Sequence, residues 1–277
     1  GTADSLNTAL NDASLTGNDA LTLTITGANA NATDLNALDS KTSEDVIVDA
    51  SKVTGTYAQI ETVYITNANN FTNLGNEQVE ISGTITTTQS DTIADLTSGI
   101  VTATLNQGTA TDLNNALNDS GGQVNAYTIT VNGGTAVASD LVALASKTSI
   151  AINADTHIST LTGSAADIKT VLESNEINTS ANVNITITGT MPATLEELKA
   201  INDATSGDIT LNAQSISQNY SGSVSLIKDA FAGTITEHNG TIELTDSSVS
   251  TNDVNFAAQK TTGALTATIA TGAVSAT

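Results

Sequence analysis

The chain has no cysteine, no tryptophan and no arginine, and a single proline, Pro192, in 277 residues. Without cysteine there is neither a disulfide nor a thiolate metal ligand, so stability must come from packing and hydrogen bonding. Aromatic residues are 3% of the chain, four Tyr and three Phe, too few for a sugar-stacking platform. Positive charge is equally scarce: seven lysines stand against 29 Asp and Glu, for a net charge of -22. That balance opposes nucleic-acid backbones and anionic membrane surfaces, while it favours solubility and leaves room for cations. No apolar run approaches the roughly 20 residues of a membrane span, so neither nucleic acid nor membrane insertion is expected.

What the chain does have is repetition. Short Thr-rich strands end in Thr-Gly or a close variant, at Ile25-Thr26-Gly27, Val53-Thr54-Gly55, Ile81-Ser82-Gly83, Val131-Asn132-Gly133, Leu161-Thr162-Gly163, Ile187-Thr188-Gly189 and Tyr220-Ser221-Gly222, with a degenerate Asn106-Gln107-Gly108 between the third and fourth. The glycines recur at a spacing of about 25–33 residues, which is the range of stacked repeats. Each is followed by a short helical pattern. Leu6/Ala9/Leu10, Ile60/Val63/Tyr64, Leu113/Ala116/Leu117 and Ile168/Val171/Leu172 follow i, i+3, i+4, and Leu195/Leu198/Ile201 follows i, i+3, i+6; each spacing gives one apolar helix face. Capping boxes are expected at Thr92-x-x-Asp95, Thr109-x-x-Asp112 and Ser164-x-x-Asp167, with Asn31-x-x-Asp34 as a variant. Lys41, Lys147 and Lys199 read as helix-end cations suited to the negative pole.

The strands alternate. Leu21, Leu23 and Ile25 point one way against Thr22, Thr24 and Thr26, and Val183, Ile185 and Ile187 against Asn184, Thr186 and Thr188, the mark of one buried and one polar face. The closing glycine is expected to turn the chain into the helix. Two unit types alternate: one carries Lys-Thr-Ser or Thr-Ser-Gly, the other an Asn-rich stretch, so the deeper repeat is a pair of about 50–59 residues. Strand then helix with short links predicts parallel strands. The fold expected is an α/β repeat, a solenoid of short strand-helix units on a long parallel sheet, over residues 1–222. The alternative is a β-helix, all-β with short helices. Residues 223–277 read as divergent repeats or a cap, with a hairpin over Thr234–Asp246 turning at Asn239-Gly240. Gly1-Thr2 matches the Gly-Thr after other strands, so the chain is expected to begin inside an array.

Chemistry has few carriers. Asp45, Asp49, Asp119, Asp203 and Asp208 are oxygen ligands of the kind calcium takes. No Asp-x-Asp-x-Asp-Gly loop accompanies them, and helix capping and turns use the same residues. Outward threonines, Thr22, Thr24, Thr26, Thr128, Thr130, Thr186 and Thr188 above all, with Thr86–Thr88 and Thr266/Thr268, are candidates for a binding lattice, ice among its ligands; they are also good residues for any solvated strand. The two histidines, His157 and His238, lie in different units and form no recognisable triad, and His157 is expected on a strand or loop surface. No catalytic or cofactor-binding residue is expected.

The Ile-Thr-Gly-Thr strands, Ala-x-Asp-Leu/Ile helix openings and Lys-Thr-Ser links resemble the repeat arrays of very large secreted surface and adhesin-like proteins of marine bacteria, cyanobacteria in particular. The resemblance covers Gly1 to about Gly222. It implies secretion or a cell-surface location and a structural or adhesive role, with no catalytic residue carried over. The function expected is a non-enzymatic spacer or a self-assembling filament or surface-layer block, joined end to end or to neighbouring repeats of a longer chain. The alternative is an adhesive or ligand-binding module taking glycan, calcium or ice on its threonine face.

Overall fold

The computed structural model describes residues 1–11, 19–118, 124–235 and 237–269. Helices and strands alternate along the chain. They are α1 Ala3–Ala9, β1 Thr24–Asn31, α2 Ala32–Asp39, β2 Val46–Thr56, α3 Tyr57–Glu61 (prolonged by a π-turn, Thr62–Thr66), β3 Phe71–Thr72, β4 Gln78–Ile85, α4 Thr87–Ala94, β5 Val101–Leu105, α5 Ala110–Ala116 and β6 Ala126–Thr128. Then come β7 Gly134–Val137, α6 Ala138–Ala145, β8 Ile152–Ala154, β9 Ile158–Gly163, α7 Ala165–Glu173, β10 Ile177–Thr179, β11 Asn184–Ile187 and α8 Leu195–Ala204. The remainder are β12 Ile209–Thr210, α9 Ala213–Ser217, β13 Tyr220–Gly222, α10 Val224–Ala230, β14 Ile242–Val249, α11 Thr251–Gln259 and β15 Leu265–Ile269.

Two compact units result, one of Gly1–Gln107, Asp112–Thr130 and Leu144–Ala151, the other of Gly108–Thr111, Val131–Ala143 and Ile152–Thr277. The first holds a sheet ordered β1-β2-β4-β5-β6, with β3 also on β2. The second holds β12-β11-β9-β7, β10-β8 and β13-β14-β15. Every pairing between these strands is parallel. Partners stand one repeat apart in sequence, as in Val79↔Val101 and Val53↔Val79. A parallel neighbour needs a crossover, and here one short helix supplies it.

A side chain caps the N-terminus of nine of these short helices. Thr2, Asn31, Thr56, Thr86, Ser164, Thr194, Asn212, Ser223 and Ser250 each accept a first-turn N–H on the side chain. Helices of five to ten residues depend on such caps, each contributing about 1 kcal/mol. Reciprocal boxes occur at Thr56/Gln59, Thr86/Gln89 and Thr194/Glu197. Ser164 and Asn31 cap as expected. The box read at Thr92–Asp95 is a correction: Thr92 lies inside α4, whose cap is Thr86, because Gln89 supplies the returning side chain. Thr86–Thr88 are therefore a cap and first turn, not a strand row.

Inward residues follow the expected spacing. Ala32/Leu35/Leu38, Ala165/Ile168/Val171 and Leu195/Leu198/Ile201 are buried on α2, α7 and α8. Strand residues such as Val46, Val48, Val79, Val101, Leu161 and Ile185 are buried as well, each full burial stabilising by about 1.5–3 kcal/mol. The opposite strand positions, Thr102, Thr104, Asn184 and Thr210 among them, are exposed.

The glycines do two jobs, not one. Gly27 and Gly83 lie inside β1 and β4 with φ of +142° and +85°, conformations that side chains disfavour. Across Gly27 the inward positions shift from Leu23/Ile25 to Ala30, whereas across Gly83 Val79, Ile81 and Ile85 keep the alternation and the pairing of β4 with β5 shifts register between Glu80 and Thr84. Gly55, Gly163 and Gly222 instead stand two residues before α3, α7 and α10. That difference is the physical basis of the two alternating unit types. Beyond Gly222 the alternation continues through α10, β14, α11 and β15. Thr234–Asp246 is no hairpin: Ile235 pairs parallel with Ile209, and β14 runs parallel to β13 and β15. Asn239-Gly240 makes a corner between parallel runs instead.

Candidate functional site

On the polar faces the threonines form short rows. Thr84, Thr104 and Thr128 stand side by side across β4, β5 and β6. Thr162, Thr186 and Thr210 do so across β9, β11 and β12, continued by Val137 on β7. The β1 row is mixed, because Thr24 faces Ile47 and Thr26 faces Asp49. Thr22 is exposed ahead of β1, Thr130 half-buried just past β6, and Thr188 exposed with its N–H donating to the Gly163 carbonyl at 2.7 Å.

The acidic candidates are dispersed. Asp45 and Asp49 are exposed in the first unit, where Asp49 accepts from Asn73 at 2.8 Å. Asp203 lies on α8 and pairs with Lys199 at 2.9 Å; the same lysine reaches Asp229. Asp208 is exposed, its N–H donating to Asn184 Oδ1 at 3.0 Å. Asp119 lies outside the described residues. Among the described residues no group of three or more His, Cys, Asp or Glu is placed to hold a metal.

The most regular polar device is buried. Thr42, Thr97, Thr148, Thr205 and Thr261 recur at the spacing of the paired unit, and each is buried just ahead of a strand run. Their hydroxyls donate to the carbonyls of Leu21 (2.8 Å), Glu77 (2.6 Å), Tyr127 (2.7 Å), Val183 (2.6 Å) and Gly240 (2.6 Å), each in the strand run before. Each also accepts the N–H two residues on, as Gly99 donates to Thr97 at 3.0 Å and Gly207 to Thr205 at 3.0 Å. The next residue, Ser or Thr, adds a backbone bond to the same earlier segment, for example Ser98 N–H to the Gly75 carbonyl at 2.8 Å. The Thr-Ser links seen in the sequence are thus corner joints. Thr261-Thr262-Gly263 is the same joint one further period beyond Thr205.

Lysine completes the corner in the first unit. Lys41 Nζ donates to the Leu10 carbonyl at 2.9 Å, and Lys147 Nζ to those of Asn114 (2.5 Å) and Leu117 (2.7 Å). Both serve the end of the preceding repeat's helix rather than their own. Lys199 departs from the expected helix end: it sits in the middle of α8, paired as above.

Buried acids were not legible in the sequence. Glu77 is 2% exposed and accepts from Gly75 N–H (2.9 Å), Asn76 N–H (3.1 Å) and the Tyr64 hydroxyl. Burial, then the Glu77 charge, pushes the Tyr64 phenol far up. Asp91 is 7% exposed; its Oδ2 accepts from Asn118 N–H (3.1 Å) and Nδ2 (3.2 Å), while Oδ1 has no partner. Burial pushes its carboxyl up against those bonds. The folded state therefore holds a proton on Asp91 more tightly than the unfolded chain, whose value is about 3.9. Stability contributed by this group is present below that value and is lost as pH rises through the folded one. Asp91→Asn is expected to be more stable than wild type at pH 7, with the gap closing toward pH 3–4 in urea titrations. A variant weaker at every pH would reject this sign.

The histidines separate. His157 is exposed on a turn, as expected, whereas His238 is wholly buried. No helix among the described residues is long and apolar enough to cross a membrane. Compared with known protein families, with curated proteins and with solved structures, the chain matches none of them.

Proposed function

We propose that this chain is a non-enzymatic structural segment, a solenoid of alternating coils that acts outside the cell as a spacer or as a filament or surface-layer block. One observation carries the reading: the same buried threonine corner recurs once in each pair of coils and ties its coil to the one before. Polar groups that an enzyme gathers into a site are here distributed one per repeat and satisfied between coils. Such stacking makes stability a sum over neighbours. The outermost strand of a parallel stack presents the amides and carbonyls that its inner neighbours use for pairing, which supports self-association end to end. Acidic surface charge and the absence of cysteine agree with an extracellular setting.

Electron microscopy in seawater-like salt, with and without calcium, tests this on the intact chain and on one lacking residues 97–147, a full pair of coils. Fibres or rods are expected from the first, and a folded, correspondingly shorter particle from the second. Unfolding of the shortened chain would overturn the solenoid, because a repeat array tolerates loss of a whole period. Discrete single particles of the intact chain at every concentration would overturn self-assembly and leave the spacer.

A further inference from the structure

His238 lies where three successive runs of the second unit meet. Asn239 and Gly240 N–H groups donate to the Ile216 carbonyl at 2.8 and 3.2 Å, and Thr262 N–H donates to the His238 carbonyl at 2.9 Å. His238 pairs parallel with Thr261, whose hydroxyl donates to the Gly240 carbonyl at 2.6 Å. The imidazole itself is 0% exposed, with ring centroids 5.1 Å from Tyr220 and 5.6 Å from Phe231. Its Nε2 is 2.6 Å from the Gln218 carbonyl, which only accepts, so Nε2 carries the hydrogen. Nδ1 is then the bare nitrogen, and it has no partner. A second proton must land there, making a buried cation whose new N–H has no acceptor. A polar group in that position is costly, and a charge more so.

Among the described residues the rings set against the imidazole are those of Tyr220 and Phe231, of which Tyr220 titrates; burial pushes its phenol up to about 12, and its hydroxyl donates to the Ala193 carbonyl at 2.9 Å. The adjacent Glu237 is exposed, and Lys260, beside Thr261, extends over the Phe256 ring at 5.4 Å. We propose that His238 is an acid-sensitive latch: protonation at Nδ1 opens the corner that holds residues 216–220, 238–242 and 261–263 together. Burial holds the imidazole below its usual range, against the Gln218 bond. Below about pH 6.5 the unfolded chain therefore takes up a proton that the folded corner resists, and stability falls as pH drops toward the folded value. Mildly acid conditions thus loosen this end of the second unit without loosening the first.

The chain has only two histidines, so histidine side-chain NMR from pH 8 to 4.5, with amide exchange on the same protein, tests the latch directly. His238 is expected to keep its neutral Nε2–H signature below the pH at which histidine in the urea-unfolded chain is half protonated. Opening of residues 237–269, corrected for intrinsic exchange, is expected to rise up to about tenfold per pH unit across that window, with no such rise in residues 46–105. His238→Gln keeps an amide donor for Gln218 without titrating and is expected to abolish the acid dependence. His238 titrating as in the unfolded chain overturns the proposal, as does the same acid dependence in His238→Gln. Should that variant fail to fold, the wild-type titration and exchange decide.

Discussion

Gly99→Ala is expected to destabilise the chain by about 3 kcal/mol, the upper range of overpacking costs. An added Cβ would lie 2.1 Å from the Glu77 carbonyl oxygen, 2.3 Å from its carbon and 2.7 Å from Gln78 N. These are backbone atoms at the start of β4, so no side chain can swing away. The corner must open, and with it the Thr97 bonds to Glu77 and Gly99. Gly207→Ala repeats the test in the second unit, where the Val183 oxygen is 2.4 Å from the added atom. Gly83 is the control: nothing lies within 4 Å, but φ is +85°, so alanine there costs only backbone strain, about 1–2 kcal/mol. Urea unfolding of the three variants checks the order. Gly99→Ala as stable as Gly83→Ala would mean that the coils do not approach this closely.

Thr148→Val is expected to cost a similar amount by a different route. Shape is nearly kept, but the hydroxyl that donates to the Tyr127 carbonyl (2.7 Å) and accepts Tyr127 N–H (3.0 Å) and Ile150 N–H (3.2 Å) is gone. Leaving one buried polar group without a partner costs about 1–3 kcal/mol, and here up to three lose theirs. Thr148→Ser keeps the hydroxyl and gives up one methyl, a loss of about 1 kcal/mol. Valine much worse than serine in thermal unfolding identifies the corner as a hydrogen-bonded joint. Equal losses would mean that the methyl packing matters and the hydroxyl does not.

Local structure was largely legible along the chain. Alternation in Leu21–Ile25 and Val183–Ile187, the i, i+3, i+6 stripe of Leu195/Leu198/Ile201 and the Ser164 cap each rest on neighbours within a few residues, where covalent geometry decides. Parallel pairing followed too, since a strand after a single short helix has little other choice. The misplaced elements share a cause. Thr92-x-x-Asp95 fits the capping pattern as well as Thr86-x-x-Gln89, and which threonine starts α4 depends on where β4 ends. Asn239-Gly240 fits a hairpin, but the apolar positions of β14 find better partners on β13 and β15 than on the residues just before the turn.

What the amino-acid order determined by itself is therefore the repeat, its two alternating unit types and the inward face of each element, because these are written in spacing. Which polar residues are buried was decided by tertiary structure alone. Thr42 and Thr22 are the same residue type close in sequence, yet one is a joint and the other is open to solvent. His238 and His157 differ in the same way. Burial of such groups is set by the strand run that pairs beside them one unit away, where a carbonyl either meets the side chain or leaves it to water.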